Sequence, residues 1–160
     1  MKVVSDGENF VKNWIFQLSL KVKSEAWNNK GLVLYELGNH EKATEAYEKA
    51  IEINPQYSEA WNNKGLVLYK LGNYEKAIEA YDKAIKINSQ YSEAWYFRAC
   101  AHSLFKDQAL SDLEYAIELD PSYKEIARND EAFKELWADE DFKKLTKSSF
   151  FENILNRLLG

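Results

Sequence analysis

Two histidines and one cysteine are the side chains of this sequence that most often bind metals or react with substrates. Cys100 and His102 lie two residues apart on a predicted helix, and this spacing points them to different faces. His40 lies in a predicted surface turn. The sequence contains no glycine-rich phosphate loop, zinc-type Cys/His spacing or nucleophile elbow. It therefore predicts no catalytic residue, no metal site and no cofactor, and a protein that is not an enzyme.

The composition favours a helical protein that folds in water. The 160 residues are 46% hydrophobic and 29% charged, which fits one globular domain or a short repeat array. No apolar run approaches the roughly 18 residues that span a membrane, and residues 1–7 lack an apolar signal core. Cys100 has no second cysteine with which to form an internal disulfide. We therefore expect a cytoplasmic protein that does not contact a membrane.

The charge argues against nucleic acid as a partner. The formal net charge is -5, and the pI is about 5.2. A surface that binds nucleic acid needs clustered Lys and Arg to neutralise phosphates. Here the lysines alternate with glutamates, which is typical of solvated helix faces.

An internal repeat organises most of the chain. Residues 24–57 align with 58–91 without a gap and differ at only six positions. A third copy, 92–123, opens with Ser92-Glu93-Ala94-Trp95 and then diverges, and it is two residues shorter than the others. A repeat that cannot bury its apolar face alone must stack on its neighbours. The sequence therefore predicts a stack of three similar units.

Each copy predicts two helices. In the first copy, residues 26–37 have apolar residues at helical spacing, and Gly38-Asn39 then favours a left-handed helix end. A second helix over 41–53 ends before Pro55, because proline disfavours helix at the residue before it. Its apolar face consists of Ala43, Ala46, Tyr47, Ala50 and Ile51.

The spacing within each copy resembles the tetratricopeptide repeat (TPR), a pattern of Trp, Leu, Gly, Tyr, Ala and Pro that recurs every 34 residues. The first copy carries Trp27, Gly31, Leu34, Ala43, Tyr47, Ala50 and Pro55. The second carries Trp61, Gly65, Leu68, Ala77, Tyr81 and Ala84. The third keeps Trp95, Ala99, Ala109, Leu113, Ala116 and Pro121. Lys30 and Lys64 replace the usual Leu, and Ala99 replaces Gly.

This resemblance implies an all-α fold, a TPR-type right-handed superhelix of antiparallel helix pairs. We expect residues 1–160 to form one domain. Its parts are an N-terminal capping helix in 1–23, three repeats at 24–57, 58–91 and 92–123, and C-terminal capping helices in 124–160.

The two ends are expected to cover the stack. Residues 8–22 carry an apolar stripe and predict a helix that packs on the first repeat, or alternatively a swapped or partner-binding helix. Residues 130–136 and 139–145 each begin with acidic residues and predict two short helices, as the helix dipole favours. A last apolar helix over 149–159 is expected to pack in the core. Its alternatives are a dimer contact and a tail that enters a groove.

The resemblance also implies a peptide-binding groove lined by the first helix of each repeat. The first repeat supplies Glu25, Asn28, Asn29, Leu32 and Tyr35. The second supplies Glu59, Asn62, Asn63, Leu66 and Tyr69, and the third supplies Glu93, Tyr96, Phe97 and Cys100. Asn29 and Asn63 resemble the asparagine ladder that pairs with a peptide backbone in TPR grooves, since an amide both donates and accepts hydrogen bonds.

Co-chaperone TPR domains use Lys, Asn and Arg at fixed groove positions to clamp an acidic chaperone tail. Only Asn63 matches those positions here, and the others hold Asn28, Leu32, Glu93 and Phe97. We therefore expect no such clamp. Glu25, Glu59 and Glu93 recur along one edge, which favours a neutral or basic extended partner.

The sequence thus predicts a non-catalytic module, scaffold or adaptor that binds a partner protein or peptide in its groove. The first alternative is a self-associating structural protein, such as a homodimer joined by the apolar terminal helices. The second is an enzyme or its regulatory subunit, although the sequence has no catalytic constellation. Met1 and the apolar final segment suggest a complete chain.

Overall fold

The computed structural model describes residues 2–147, and this part of the chain is helical without strands. Its α-helices are α1 (Lys2–Glu36), α2 (His40–Ile53), α3 (Ser58–Lys70), α4 (Tyr74–Ile87), α5 (Ser92–Ala101), α6 (Lys106–Leu119), α7 (Tyr123–Asn129) and α8 (Glu140–Thr146), with a 3₁₀ helix at Glu131–Leu136. The pairs α1–α2, α3–α4 and α5–α6 pack within the repeats, and α2–α3 and α4–α5 pack between them. The predicted three helix pairs are therefore confirmed.

Glycine turns separate the two helices of the first two repeats. Gly38 and Gly72 have positive φ angles of 74° and 76°, a conformation that side chains disfavour. Backbone N–H groups at Gly38 and Asn39 donate to carbonyls of α1, which satisfies groups that the helix end leaves unpaired. The chain thereby reverses within a few residues.

A tyrosine packs directly against a glycine where the two helices of a repeat cross. A Cβ atom added to Gly31 would lie 2.5 Å from Cε1 of Tyr47, and one added to Gly65 would lie 2.6 Å from Cε1 of Tyr81. Both tyrosine side chains are buried among alanines. Glycine is therefore required at this crossing as long as tyrosine lies opposite it.

The third repeat closes the same crossing with different residues. Ala99 and Leu113 stand at the glycine and tyrosine positions, and both are buried. Beside them, Asp112 accepts hydrogen bonds from Nε of Arg98 at 2.9 Å and from its Nη2 at 2.5 Å. The ring Nδ1 of His102 lies 2.9 Å from the same carboxylate. A buried polar network thus replaces the alanine contacts of the earlier repeats.

The C-terminal helices pack against the third repeat. Phe133, Leu136 and Phe142 join the core cluster of that repeat. Asp130 caps the 3₁₀ helix by accepting from Ala132 N, and Asp139 caps α8 by accepting from Asp141 N and Phe142 N. Two short helices with acidic starts are therefore confirmed, the first as a 3₁₀ helix. The helix predicted over 149–159 lies outside the described residues.

The N-terminal segment does not form the separate cap that the sequence predicted. α1 is one 35-residue helix that joins this segment to the first helix of the first repeat. Its side chains Trp14, Ile15, Leu18 and Val22 are exposed. The expectation that residues 8–22 pack back on the first repeat is therefore wrong, because the chain does not turn before Ser24.

Candidate protein-binding groove

The first helices α1, α3 and α5 lie side by side, and the predicted groove residues fall into three groups. The exposed ones are Asn29, Leu32 and Glu59. The half-buried ones are Glu25, Tyr35, Leu66, Tyr69, Glu93 and Phe97. The buried ones are Asn28, Asn62, Asn63, Tyr96 and Cys100. We call the exposed and half-buried residues together the groove face.

An amide ladder joins the first two repeats, but it uses a different asparagine from the one predicted. Asn63 Nδ2 donates to Asn28 Oδ1 at 3.0 Å, and Asn28 Nδ2 donates to Glu59 Oε1 at 3.1 Å. Asn28 is fully buried, whereas Asn29 points to solvent. Asn28 and Asn63 therefore fix the two helices and the Glu59 carboxylate, while Asn29 remains accessible to a partner.

The junction between the second and third repeats lacks half of this ladder. Asn62, which aligns with Asn28, donates weakly to the Tyr91 hydroxyl at 3.4 Å. Its buried Oδ1 has no hydrogen-bond partner in the described part of the chain. The donor position, filled by Asn63 one repeat earlier, holds Phe97. Because a phenyl ring cannot donate, the groove changes from polar to aromatic at this junction.

The C-terminal segment closes the groove over the third repeat. The Tyr96 hydroxyl donates to Asp130 Oδ2 at 2.6 Å, and the Tyr96 ring stacks on Tyr123 with centroids 4.4 Å apart. Cys100 Sγ lies 3.9 Å from the same Asp130 oxygen. Burial, followed by the charge of Asp130, raises the pKa of the Cys100 thiol. The expectation that Tyr96 and Cys100 line an open groove is therefore wrong, because this segment covers them.

Two glutamates give the groove face a negative edge. Glu59 is oriented by Asn28 and by the Tyr57 hydroxyl, which donates to its Oε2 at 3.3 Å. Glu93 is half-buried, and burial raises its carboxyl pKa, as does the charge of Glu59, while a hydrogen bond from Tyr91 lowers it. Glu59 and Glu93 occupy equivalent positions of the second and third repeats. Two carboxylates along one edge repel anions and favour cations.

Sequence reasoning missed Tyr57, Tyr91 and Asp130 as residues of this site. Tyr57 and Tyr91 end the first and second copies, so their recurrence was a readable signal. Burial, followed by the charges of Glu59 and Glu25, raises the pKa of Tyr57 to about 12, so its hydroxyl remains a donor. Asp130 gave no comparable signal, because its contact with Tyr96 spans 34 residues.

The described residues contain no cluster of three His, Cys, Asp or Glu side chains with the geometry to hold a metal ion. His102 is paired with Asp112, and Cys100 faces Asp130. Within residues 2–147, no helix combines the length and the apolar character that crossing a membrane requires.

Comparison with known families identifies the fold. The tetratricopeptide-repeat model matches residues 9–58 and 28–93, which together span more than half of the 160 residues. The chain belongs to the tetratricopeptide-repeat family. No curated protein matches the sequence.

Solved TPR domains have the same fold. The first TPR of Spaghetti (RPAP3), bound to the HSP90 peptide SRMEEVD, is 21% identical, with a TM-score of 0.63 over 79% of this chain and 93% of that one. The Arabidopsis OM64 TPR domain is 24% identical, with a TM-score of 0.64 over 80% and 98%. The second TPR of Spaghetti, bound to the same peptide, is 24% identical, with a TM-score of 0.60 over 62% and 94%. The predicted all-α, TPR-type superhelix is confirmed.

Proposed function

We propose that this protein is a non-catalytic interaction module, an adaptor that holds an extended, neutral or basic segment of a partner protein on the groove face. The observation that carries the proposal is the combination of an accessible amide and apolar side chains with an oriented acidic edge. Asn29 offers a donor and an acceptor to a peptide backbone. Leu32 and Leu66 offer apolar contact, and Glu59 and Glu93 favour a cation.

The Spaghetti domains are bound to the acidic peptide SRMEEVD, whereas the groove face of this chain carries Glu59 and Glu93. The clamp positions expected from the family hold Leu32, Glu93 and Phe97, none of which attracts a carboxylate. The remaining two, Asn28 and Asn63, are bonded to each other. We therefore propose a neutral or basic ligand rather than an acidic tail.

We also propose a cytoplasmic location, because the single cysteine is free and buried, which fits reducing conditions.

Two labelled peptides test the charge preference. The first is SRMEEVD, and the second is its charge-reversed form SRMKKVK with an amidated C-terminus. We expect fluorescence anisotropy at low salt to show that the basic peptide binds about tenfold more tightly, because Glu59 and Glu93 attract its lysines. Glu59→Lys with Glu93→Lys should reverse the order. Equal affinities, or tighter binding of SRMEEVD by the wild type, would contradict the proposal.

A second experiment tests the groove itself. Partners captured from a lysate of the source cell should be lost with Asn29→Ala combined with Leu32→Asp, since both side chains are exposed and the fold does not depend on them. The matched control is Lys42→Asp, an exposed position on α2. Circular dichroism verifies folding. Partners retained by the groove variant would move the binding site elsewhere.

A further inference from the structure

The first helices of repeats one and two carry the same residues but differ in what covers them. Ala60 and Val67 on α3 are both 0% exposed, and Val67 packs with Ala43 and Tyr47 of α2. The equivalent residues on α1 are Ala26, which is exposed, and Val33, which is 60% exposed. α1 therefore presents a face that, one repeat later, is the core of a helix–helix contact.

An ion pair accompanies this contact at both junctions between repeats. Lys64 Nζ on α3 lies 2.8 Å from Glu48 Oε1 on α2. One repeat later, Arg98 Nη1 on α5 lies 2.5 Å from Asp82 Oδ1 on α4. The equivalent residue on α1 is Lys30, which lies over the Trp27 ring and faces no carboxylate among the described residues. The recurring cation is present on α1, but its acidic partner is not.

The uncovered face extends far beyond the repeat. Val11, Ile15, Leu18 and Val22 are all exposed and continue at helical spacing toward Ala26 and Val33. From Val11 to Val33 the stripe is about 33 Å long at 1.5 Å per residue. Lysines 12, 23 and 30 recur along one flank of the stripe. Because α1 is continuous, nothing in residues 2–147 folds back to cover the stripe.

We propose that this face of α1 binds an acidic amphipathic helix from a partner protein, one built like α2. Such a helix carries alanines on its contact face and a carboxylate directly after a central tyrosine, as Tyr47-Glu48 and Tyr81-Asp82 do. The alanines and the tyrosine pack on Val33 as those of α2 pack on Val67. The carboxylate pairs with Lys30.

This inference goes beyond the proposed groove, because it uses another face of α1. Leu32 belongs to the groove face, whereas Val33 corresponds to Val67, which packs with Ala43 and Tyr47 of the preceding helix. The two sites therefore predict two separate partners or two contacts with one partner. A defect at one site should leave the other intact.

The probe is a hydrocarbon-stapled, fluorescein-labelled peptide with the sequence of residues 40–53, mixed with the full chain. Anisotropy should show saturable binding, weakened about tenfold by Val33→Asp and several-fold by Lys30→Glu, because these changes remove the apolar contact and the ion pair. A peptide with Glu48→Lys should bind poorly to the wild type and recover on Lys30→Glu. Lys42→Glu and Leu32→Asp serve as controls that leave binding unchanged.

Three outcomes would overturn the proposal. The first is no saturable binding up to about 1 mM peptide, since such an affinity amounts to only about 4 kcal/mol. The second is that Lys30→Glu does not recover binding of the Glu48→Lys peptide, which would exclude the proposed ion pair. The third is a concentration-dependent dimer in sedimentation velocity that Val33→Asp dissociates and the peptide does not. That result would mean that a second copy of this chain covers the face.

Discussion

The first two repeats and the third repeat share one helix pairing but stabilise it with different side chains. In the first two, a tyrosine packs on a glycine and alanines fill the remaining contacts. In the third, Leu113 faces Ala99, and the buried Asp112 binds Arg98 and His102. Two different sets of side chains can therefore stabilise the same helix pairing, provided that residues in contact across the two helices change together.

The third repeat also differs from the first two in how open its part of the groove is. Asn63 completes the ladder between the first two repeats, whereas Phe97 at the third repeat leaves Asn62 Oδ1 unpaired. Phe97 instead packs near Tyr81 and Tyr96, with ring centroids 6.2 and 5.8 Å away. Tyr96 then binds Asp130 of the C-terminal segment. The third repeat therefore carries an aromatic face that contacts the segment around Asp130, where the first two repeats share a polar ladder.

The largest effect is expected from removing the buried carboxylate of the third repeat. Asp112→Ala should lower the free energy of unfolding by about 3 kcal/mol, because it leaves Arg98 without its buried partner. Alanine itself fits, since Ala46 and Ala80 occupy this position in the first two repeats. Urea unfolding measures the change.

Asp112→Ala combined with Arg98→Lys provides the matched test, because it installs the Ala and Lys of the second repeat at these positions. We expect this pair of substitutions to recover part of the lost stability. A double variant as unstable as Asp112→Ala alone would show that the Lys and Ala of the second repeat cannot replace the Arg and Asp of the third.

An intermediate effect is expected at the glycine crossing of the second repeat. Gly65→Ala should lower the free energy of unfolding by about 2 kcal/mol, because the new Cβ would lie 2.6 Å from Cε1 of Tyr81. This loss is expected even though alanine has a higher helix propensity than glycine. Tyr81→Leu should relieve the clash when added, since the third repeat combines Ala99 with Leu113. Thermal unfolding of the single and double variants measures the coupling, and simple additivity would refute it.

A smaller difference separates the two equivalent asparagines. Asn28→Ala should cost about 1.5 kcal/mol, because it leaves Asn63 and Glu59 each without a hydrogen bond. Asn62→Ala should cost about 0.5 kcal/mol, since it removes only the long bond to Tyr91 and an oxygen that is already unpaired. Equal losses in urea unfolding would mean that the two junctions are held alike.

The smallest effect concerns Glu93, whose pKa is raised mainly by burial. A raised carboxyl pKa means that the folded state becomes less stable as the pH rises through it. We expect Glu93→Gln to gain about 0.3 kcal/mol at pH 7, a modest value because the side chain is partly solvated. The gain should disappear near pH 3, well below the ordinary pKa of Glu of about 4.3. A constant gain across this range would exclude ionisation as its cause.

Much of this fold was predictable because each copy contains both the helix-forming pattern and its ends. Gly38-Asn39 and Gly72-Asn73 mark the turns, and the structure places them there. The start of the first repeat was mispredicted because it has no such end signal. Pro55-Gln56-Tyr57 precedes the second repeat, but Lys21-Val22-Lys23 precedes the first and contains no residue that ends a helix.

The groove was less predictable, because it depends on how helices cross. Asn28 and Asn29 are adjacent and identical in type, and only the packing of α3 decides which one is buried. The closure over Tyr96 depends on Asp130, which no local pattern connects to the groove. Contacts between distant segments therefore decided which of the predicted residues remain accessible.

The continuous helix α1 combines two environments along about 52 Å. From Ser24 onward its backbone is held by α2 and α3, and amide hydrogens there exchange with solvent only when the repeat opens. Between Phe10 and Val22 its large apolar side chains are exposed within residues 2–147, and the helix there is held by its own hydrogen bonds. One helix therefore contains fast- and slow-exchanging amides, and slowed exchange in its first half would report directly that the stripe has been covered.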